Sequence, residues 1–175
     1  MHWRWIVCTA LVGLGKAHHH STFTDVLGMV LPQLQQKMSL LEARLLADTG
    51  LLLLILITEL ITYPSFRAMS TERLSQWHAV YTQRISYLVA PLMFTQAILG
   101  AAHTYVQFNG LSLATFILIL LCFALTFLQA VPLHNQIARG EKIAEAVEDL
   151  IAKNKYRTFI WSLVFLLGLA DLLMH

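Results

Sequence analysis

Charge is what this sequence lacks. Asp, Glu, Lys and Arg make up 13% of its 175 residues, where a soluble domain carries about 25%. The deficit is local. It falls in four stretches, 45–63, 85–108, 111–131 and 158–174, each near the ~20 mostly apolar residues that cross a bilayer. Together with a mean hydropathy of +0.63, this excludes a water-soluble domain of any size. The net charge of +2 is small and by itself says nothing about nucleic acid, which is not an expected partner. Cysteine is also scarce. Cys8 and Cys122 are the only two, which rules out a disulfide framework, a CxxC redox pair and zinc-type spacing. There is no GxSxG, P-loop, HExxH or GxGxxG before a strand, so no motif assigns a reaction.

What is present reads as an all-α polytopic membrane protein, a four-helix transmembrane bundle with short amphipathic surface helices. The loop after the first span carries Arg67, Arg73 and Arg84, and the loop after the third carries Arg139, Lys142, Lys153, Lys155 and Arg157. The Asn109-Gly110 turn has no basic residue. Positive loops stay in the cytoplasm, so both chain ends are expected outside it, in a bacterial inner membrane. Residues 1–17 have a signal-like layout: Arg4 in a short positive start, an apolar stretch over 5–15, and small residues Gly15 and Ala17 at a possible cleavage site. An uncleaved short anchor is the alternative. Residues 18–44 form an outer-side segment, with a helical run expected from 33 into the first span, and 45–175 form the transmembrane domain.

Each span carries a polar line at helical spacing. The lines are Asp48, Glu59 and Thr62; Gln96, His103 and Gln107; Thr115, Cys122, Thr126 and Gln129; and Trp161, Gly168 and Asp171. Lipid cannot satisfy polar groups, so these lines should face one another. Depth splits them into two layers. The cytoplasmic layer holds Glu59, Tyr63, Gln129 and Ser162, with Arg84, His134, Asn135 and Arg157 at its mouth. The outer layer holds Asp48, His103, Gln107 and Asp171. Asp48 and Glu59 are separated by roughly 16 Å along a helix, too far to act on one atom.

An ionisable residue in a span is costly and marks either function or a buried partner. Glu59 therefore has three readings: an ion pair with Arg84 or Arg157, a ligand or proton site, or a side chain snorkelling to the interface. Asp48 and Asp171, nearer the span ends, read as interfacial. His103 either pairs with Asp48 or Asp171 or is a weak metal candidate. His78 and His134, at similar depth, could ligate haem if they face across a gap. His18 and His20 are weak metal candidates near a possible mature N-terminus. Pro64 and Pro132 read as span ends and Pro91 as a kink. Thr71–Tyr81 reads as a short amphipathic segment after the first span, and Glu141–Lys155 as one that lies on the cytoplasmic surface or continues as a helix into the fourth span.

Two stretches carry a likeness. One is Tyr63-Pro64-Ser65-Phe66, then Trp77-His78-Ala79-Val80-Tyr81-Thr82-Gln83-Arg84-Ile85 and Val89-Ala90-Pro91-Leu92-Met93. The other is Val131-Pro132-Leu133-His134-Asn135-Gln136, then Asn154-Lys155-Tyr156-Arg157-Thr158 and Trp161. Over about 45–167 this resembles small bacterial four-helix membrane proteins of unassigned function and, more loosely, the DUF1772 (anthrone-oxygenase-like) group. The resemblance implies a site at the cytoplasmic mouth, built from Tyr63, His78, Tyr81, Arg84, His134, Asn135, Arg157 and Trp161. A catalytic set there would pair a base, His78 or Glu59, with Arg84 and Arg157.

Three functions follow as expectations. The first is an enzyme or small-molecule-binding bundle with its polar site at that mouth, its cofactor unspecified. The second is a proton-coupled small transporter using Glu59. The third is an accessory or assembly subunit. The lipid bilayer is the expected surrounding, and a homo-oligomer or larger membrane complex is compatible with each.

Overall fold

The computed structural model describes residues 39–174. The signal-like segment, His18, His20 and most of the outer-side segment lie outside the described residues. Four helices are long and apolar enough to span a membrane: α1 (Leu40–Phe66), α2 (Thr71–Val106), α3 (Gly110–Ala138) and α4 (Ile143–Met174). Short connections make sequence neighbours antiparallel. α1 and α3 each pack against α2 and α4 and face one another across the diagonal, an up-down-up-down bundle.

Local chemistry sets the helix starts. Ser39 and Glu42 form a reciprocal capping box: the Glu42 N–H donates to Ser39 Oγ (3.2 Å) and the Ser39 N–H to Glu42 Oε2 (2.8 Å). The helical run expected to pass through position 39 is thus interrupted there. Arg44 moves from the outer segment into the first span. Asn109 opens α3 by accepting from the Leu111 and Ser112 N–H groups at 2.9 and 2.8 Å. α3 closes with Gly140 at φ +76°. The Gly140 N–H donates to Ile137 O and the Glu141 N–H to Gln136 O, both at 3.0 Å, a Schellman stop that requires the left-handed region.

The prolines behave differently from their sequence reading. α1 runs past Pro64 to Phe66, and α3 runs past Pro132 to Ala138. The reason is a π turn immediately upstream of each, Thr58–Thr62 and Thr126–Ala130. The Tyr63 N–H reaches back to Thr58 O, and the Val131 N–H to Thr126 O. This wider turn lets the helix absorb a residue that cannot donate and whose ring crowds the preceding turn. Pro91 lies inside α2, which continues through it unbroken. The two amphipathic surface segments are also continuous with spans. They form the first turns of α2 and α4.

Apolar side chains cover the outside, with Leu53, Leu60, Ile98, Leu128, Phe159 and Leu173 exposed, while the polar lines turn inward. Two apolar clusters punctuate the interior. One, at the end where the α1–α2 and α3–α4 loops lie, joins Tyr63, Phe66, Leu74, Leu133, Ile137 and Leu150. The other, at mid-depth, joins Leu51, Ile55, Met93, Cys122 and Trp161. Small residues allow close approach where lipid supplies no hydrophobic drive between helices. A Cβ on Gly100 would stand 3.0 Å from Ile119 Cδ1 and 3.3 Å from Phe116 Cδ2.

Candidate functional site

A cavity of about 370 Å³ opens between the two apolar clusters. All four helices line it. α1 contributes Leu51, Ile55, Thr58 and Tyr63; α2 contributes Tyr81, Ser86 and Met93; α3 contributes Thr126, His134 and Asn135; α4 contributes Arg157 and Trp161. The π turns matter here. Thr58 and Thr126 open them, and Tyr63 and His134 follow them, so both wide turns border the cavity across the bundle diagonal. π turns of this kind recur at functional sites because they re-aim side chains on an otherwise regular helix.

The cavity has a polar end and an apolar floor. At the polar end Tyr63 Oη meets His134 Nε2 at 3.2 Å, and His134 Nδ1 meets His78 Nε2 at 3.0 Å. His78 is fully buried and sits behind His134, outside the cavity wall. Arg157, also buried, lies 5.3 Å over the Trp161 ring. Its Nη1 donates to Asn154 Oδ1 at 3.3 Å, while Asn154 Nδ2 donates to Glu59 Oε2 at 2.5 Å. Thr158 Oγ1 adds a second donor to that carboxylate oxygen, at 3.3 Å. Two buried polar atoms of lining residues, Thr126 Oγ1 and Arg157 Nε, have no hydrogen-bond partner among the described residues. Buried polar atoms are seldom left so.

The mouth is lateral. Lining residues Gln83, Ser86 and Phe94 on α2 are exposed, as are Phe127, Val131 and Asn135 on α3. Phe94 and Phe127 are 54% and 50% exposed, and both pack on Phe123. The gap therefore looks out between α2 and α3 toward the apolar outside of the bundle.

Residues predicted from sequence divide as follows. Tyr63, Tyr81, His134, Asn135, Arg157 and Trp161 meet at the cavity. Glu59 stands beside it and contacts Arg157 only through Asn154; among the described residues it forms no ion pair with Arg84 or Arg157. Arg84 is exposed and lines a separate shallow groove with Trp77, Val80 and Leu88. His78 and His134 are hydrogen-bonded to each other, which leaves no room for a haem iron between their nitrogens. Asn154 and Thr58 were missed as site residues, and Thr126, on the polar line of the third span, was not placed at the mouth. Asn154 lies in a segment assigned to the surface, and the threonines look like ordinary span residues.

The outer layer holds a second polar group, and it is buried rather than interfacial. Arg44, Asp48, Gln96, His103 and Asp171 are all at most 2% exposed. Arg44 Nε lies 3.4 Å from Asp48 Oδ2. Gln96 Nε2 donates to Asp48 Oδ1 at 2.7 Å, and His103 Nε2 meets Asp171 Oδ2 at 2.9 Å. Gln107, expected in this layer, is instead the exposed C-cap of α2. No cluster of three metal-ligating side chains surrounds His103 or any other described residue. Arg44 escaped the sequence reading because it was counted as a loop charge. Trp161 Nε1 reaches Gln96 Oε1 at 3.5 Å, linking the layers across the mid-depth apolar cluster.

The chain matches no protein-family model, no curated protein sequence and no solved structure.

Proposed function

We propose that this protein binds a small amphipathic molecule that enters from the bilayer between α2 and α3 and places its polar end against Tyr63, His134 and Arg157. The observation that carries this reading is the cavity itself. It has a lipid-facing mouth, an apolar floor and, at the opposite end, convergent polar groups, of which Thr126 Oγ1 and Arg157 Nε have no hydrogen-bond partner among the described residues. Ligand sites have this composition: mostly apolar walls with a few placed polar groups. The residues that carry the resemblance to the anthrone-oxygenase-like group lie largely at this end, which supports the same location. An enzymatic use would draw its acid–base groups from Tyr63 and His134, with Arg157 balancing developing negative charge.

By the positive-inside rule the cavity belongs to the cytoplasmic half of a bacterial inner membrane, with both termini outside. A reporter fused after His175 is expected to read outside the cytoplasm; a cytoplasmic signal refutes that orientation. The transporter reading has less support, because Leu51, Ile55, Met93 and Cys122 separate Glu59 from the outer polar group.

Native mass spectrometry of the full chain released from lipid nanodiscs tests the binding reading. An amphiphile adduct is expected on the wild type and should be lost on Ala90→Trp, which fills the mouth without touching the polar end. No adduct on the wild type, or adducts unchanged by Ala90→Trp, would refute it.

A further inference from the structure

Tyr63, His134 and His78 are joined in line, and His78 contributes nothing to the cavity wall. His78 has one ring nitrogen on His134 and the other, Nδ1, buried with no hydrogen-bond partner among the described residues. Its ring packs against Phe66 and Tyr81 at centroid distances of 5.4 and 6.1 Å. A histidine kept there only for packing would be served as well by an apolar residue, since burying an imidazole carries a desolvation cost.

Hydrogen-bond chemistry restricts the row to two arrangements. A neutral imidazole has one N–H donor and one acceptor nitrogen. In the first arrangement Tyr63 O–H donates to His134 Nε2, His134 Nδ1–H donates to His78 Nε2, and His78 Nδ1 carries the remaining proton. In the second, every bond is reversed. His78 Nε2–H donates to His134 Nδ1, His134 Nε2–H donates to Tyr63 Oη, and the Tyr63 hydroxyl hydrogen is released toward the cavity. Both arrangements are neutral; passing from the first to the second along the row takes one proton in at Tyr63 Oη and gives up the one on His78 Nδ1, without moving a heavy atom.

We propose that this row is a proton relay serving the binding site, with Tyr63 Oη as its cavity terminus, His78 as its internal proton store, and an amphiphile bearing an ionisable O–H head as the ligand class. The proposal rests on the binding reading above. When the ligand gives up its proton, the ligand O–H bond breaks as a new Tyr63 O–H bond forms. The former Tyr63 proton passes to His134 Nε2, and the His134 Nδ1 proton passes to His78 Nε2. His78 keeps its Nδ1–H and becomes an imidazolium. Electrons stay with the atoms they began on, and the oxyanion left on the ligand faces the Arg157 guanidinium. The groups that surround the relay are Glu59 and Tyr63 on α1, Tyr81 on α2, His134 on α3 and Arg157 on α4. The Glu59 carboxylate is already held by Asn154 and Thr158, which leaves His78 to take the proton.

The probe is a 4-nitrophenol carrying an alkyl chain, whose phenol and phenolate absorb differently. It is titrated into the full chain in nanodiscs over a range of pH. Bound probe is expected to ionise at lower pH than probe in empty nanodiscs, with its apparent acid dissociation constant raised at least roughly tenfold, one pKa unit. His78→Asn, outside the cavity wall, should remove that rise while probe still binds by equilibrium dialysis; Tyr63→Phe should remove it from whatever probe remains bound. Probe bound by the wild type without any rise, or a rise that survives both substitutions, would overturn the relay and leave the binding reading intact. Probe that fails to bind the wild type at all counts against the binding reading itself. A readout free of ligand accompanies it: in ¹⁵N-histidine-labelled protein, a scalar coupling across the shared proton between His134 Nδ1 and His78 Nε2 is expected. Its absence would also overturn the relay.

Discussion

Replacing Arg44 by Met removes a cation from the most buried ion pair in the bundle while keeping an unbranched chain of similar length. Arg44 Nε stands 3.4 Å from Asp48 Oδ2, both side chains are fully buried, and Asp48 keeps only Gln96 as a neutral donor. At that separation an effective dielectric of ~20 gives an attraction of about 5 kcal/mol. A carboxylate deprived of its cation can instead take up a proton. For a group of ordinary pKa ~3.9 this costs about 4 kcal/mol at pH 7, which caps the loss. Both estimates fall within the ~3–5 kcal/mol seen when one partner of a buried pair is removed. Arg44→Met is therefore expected to lose about 3–4 kcal/mol in reversible unfolding from mixed micelles at pH 7. The defect should shrink by about 2.7 kcal/mol on going to pH 5, two pH units closer to carboxyl protonation. Arg44→Met/Asp48→Asn should recover most of the loss, because a neutral pair no longer needs the cation and Asn Oδ1 still accepts from Gln96. A single variant within about 1 kcal/mol of wild type, or a double variant whose losses simply add, would show that the pair is not coupled and refute the argument.

Gly100→Ala must displace Ile119 and Phe116 and should cost about 1–3 kcal/mol of overpacking, read in the same micelle titration; Gly100→Leu should separate α2 from α3 and abolish a folded species on gel filtration. Gln96→Leu takes the hydrogen-bond donor from Asp48 Oδ1 and should cost about 1–3 kcal/mol, with a smaller effect in an Asp48→Asn background, where the acceptor carries no charge. Arg157→Leu removes the donor to Asn154 Oδ1 and the contact with Trp161; it should lower stability by about 1–3 kcal/mol and weaken binding of an anionic probe more than that of its uncharged analogue, measured by equilibrium dialysis. Arg67→Ala breaks an exposed pair in which Glu148 holds the guanidinium pKa above its ordinary value; solvent and salt screen such a pair, so no change in the unfolding midpoint is expected at high ionic strength.

The helical architecture was legible because hydropathy and length act locally: four apolar runs need no tertiary knowledge to be read as spans. The inward direction of the polar lines was equally legible, since lipid leaves a polar face no other place to go. Tyr63, His134 and Arg157 came out of the same logic, as ionisable or aromatic residues at one depth, while Trp161 was placed with them by the resemblance. Pairing was not legible. Glu59 reads from sequence as the partner of an arginine, yet a side chain on α4, Asn154, stands between Glu59 and Arg157, and only the packing of α4 on α1 places it there. Asp48 and Asp171 looked interfacial because a span's end cannot be located to one turn from hydropathy. The bundle buries them by bringing Arg44 of α1 and Gln96 and His103 of α2 against them.

Composition and periodicity determined by themselves that this chain carries four segments long and apolar enough to cross a membrane and that their polar lines turn inward. Only the tertiary structure decided that the prolines would be absorbed by π turns, that those turns would border a cavity open between α2 and α3, and that two histidines and a tyrosine would stand in one hydrogen-bonded row. The physical reason is range. Transfer to lipid is a property of each segment alone, whereas a cavity and a row of shared protons exist only where helices distant in sequence are packed at a fixed depth and rotation.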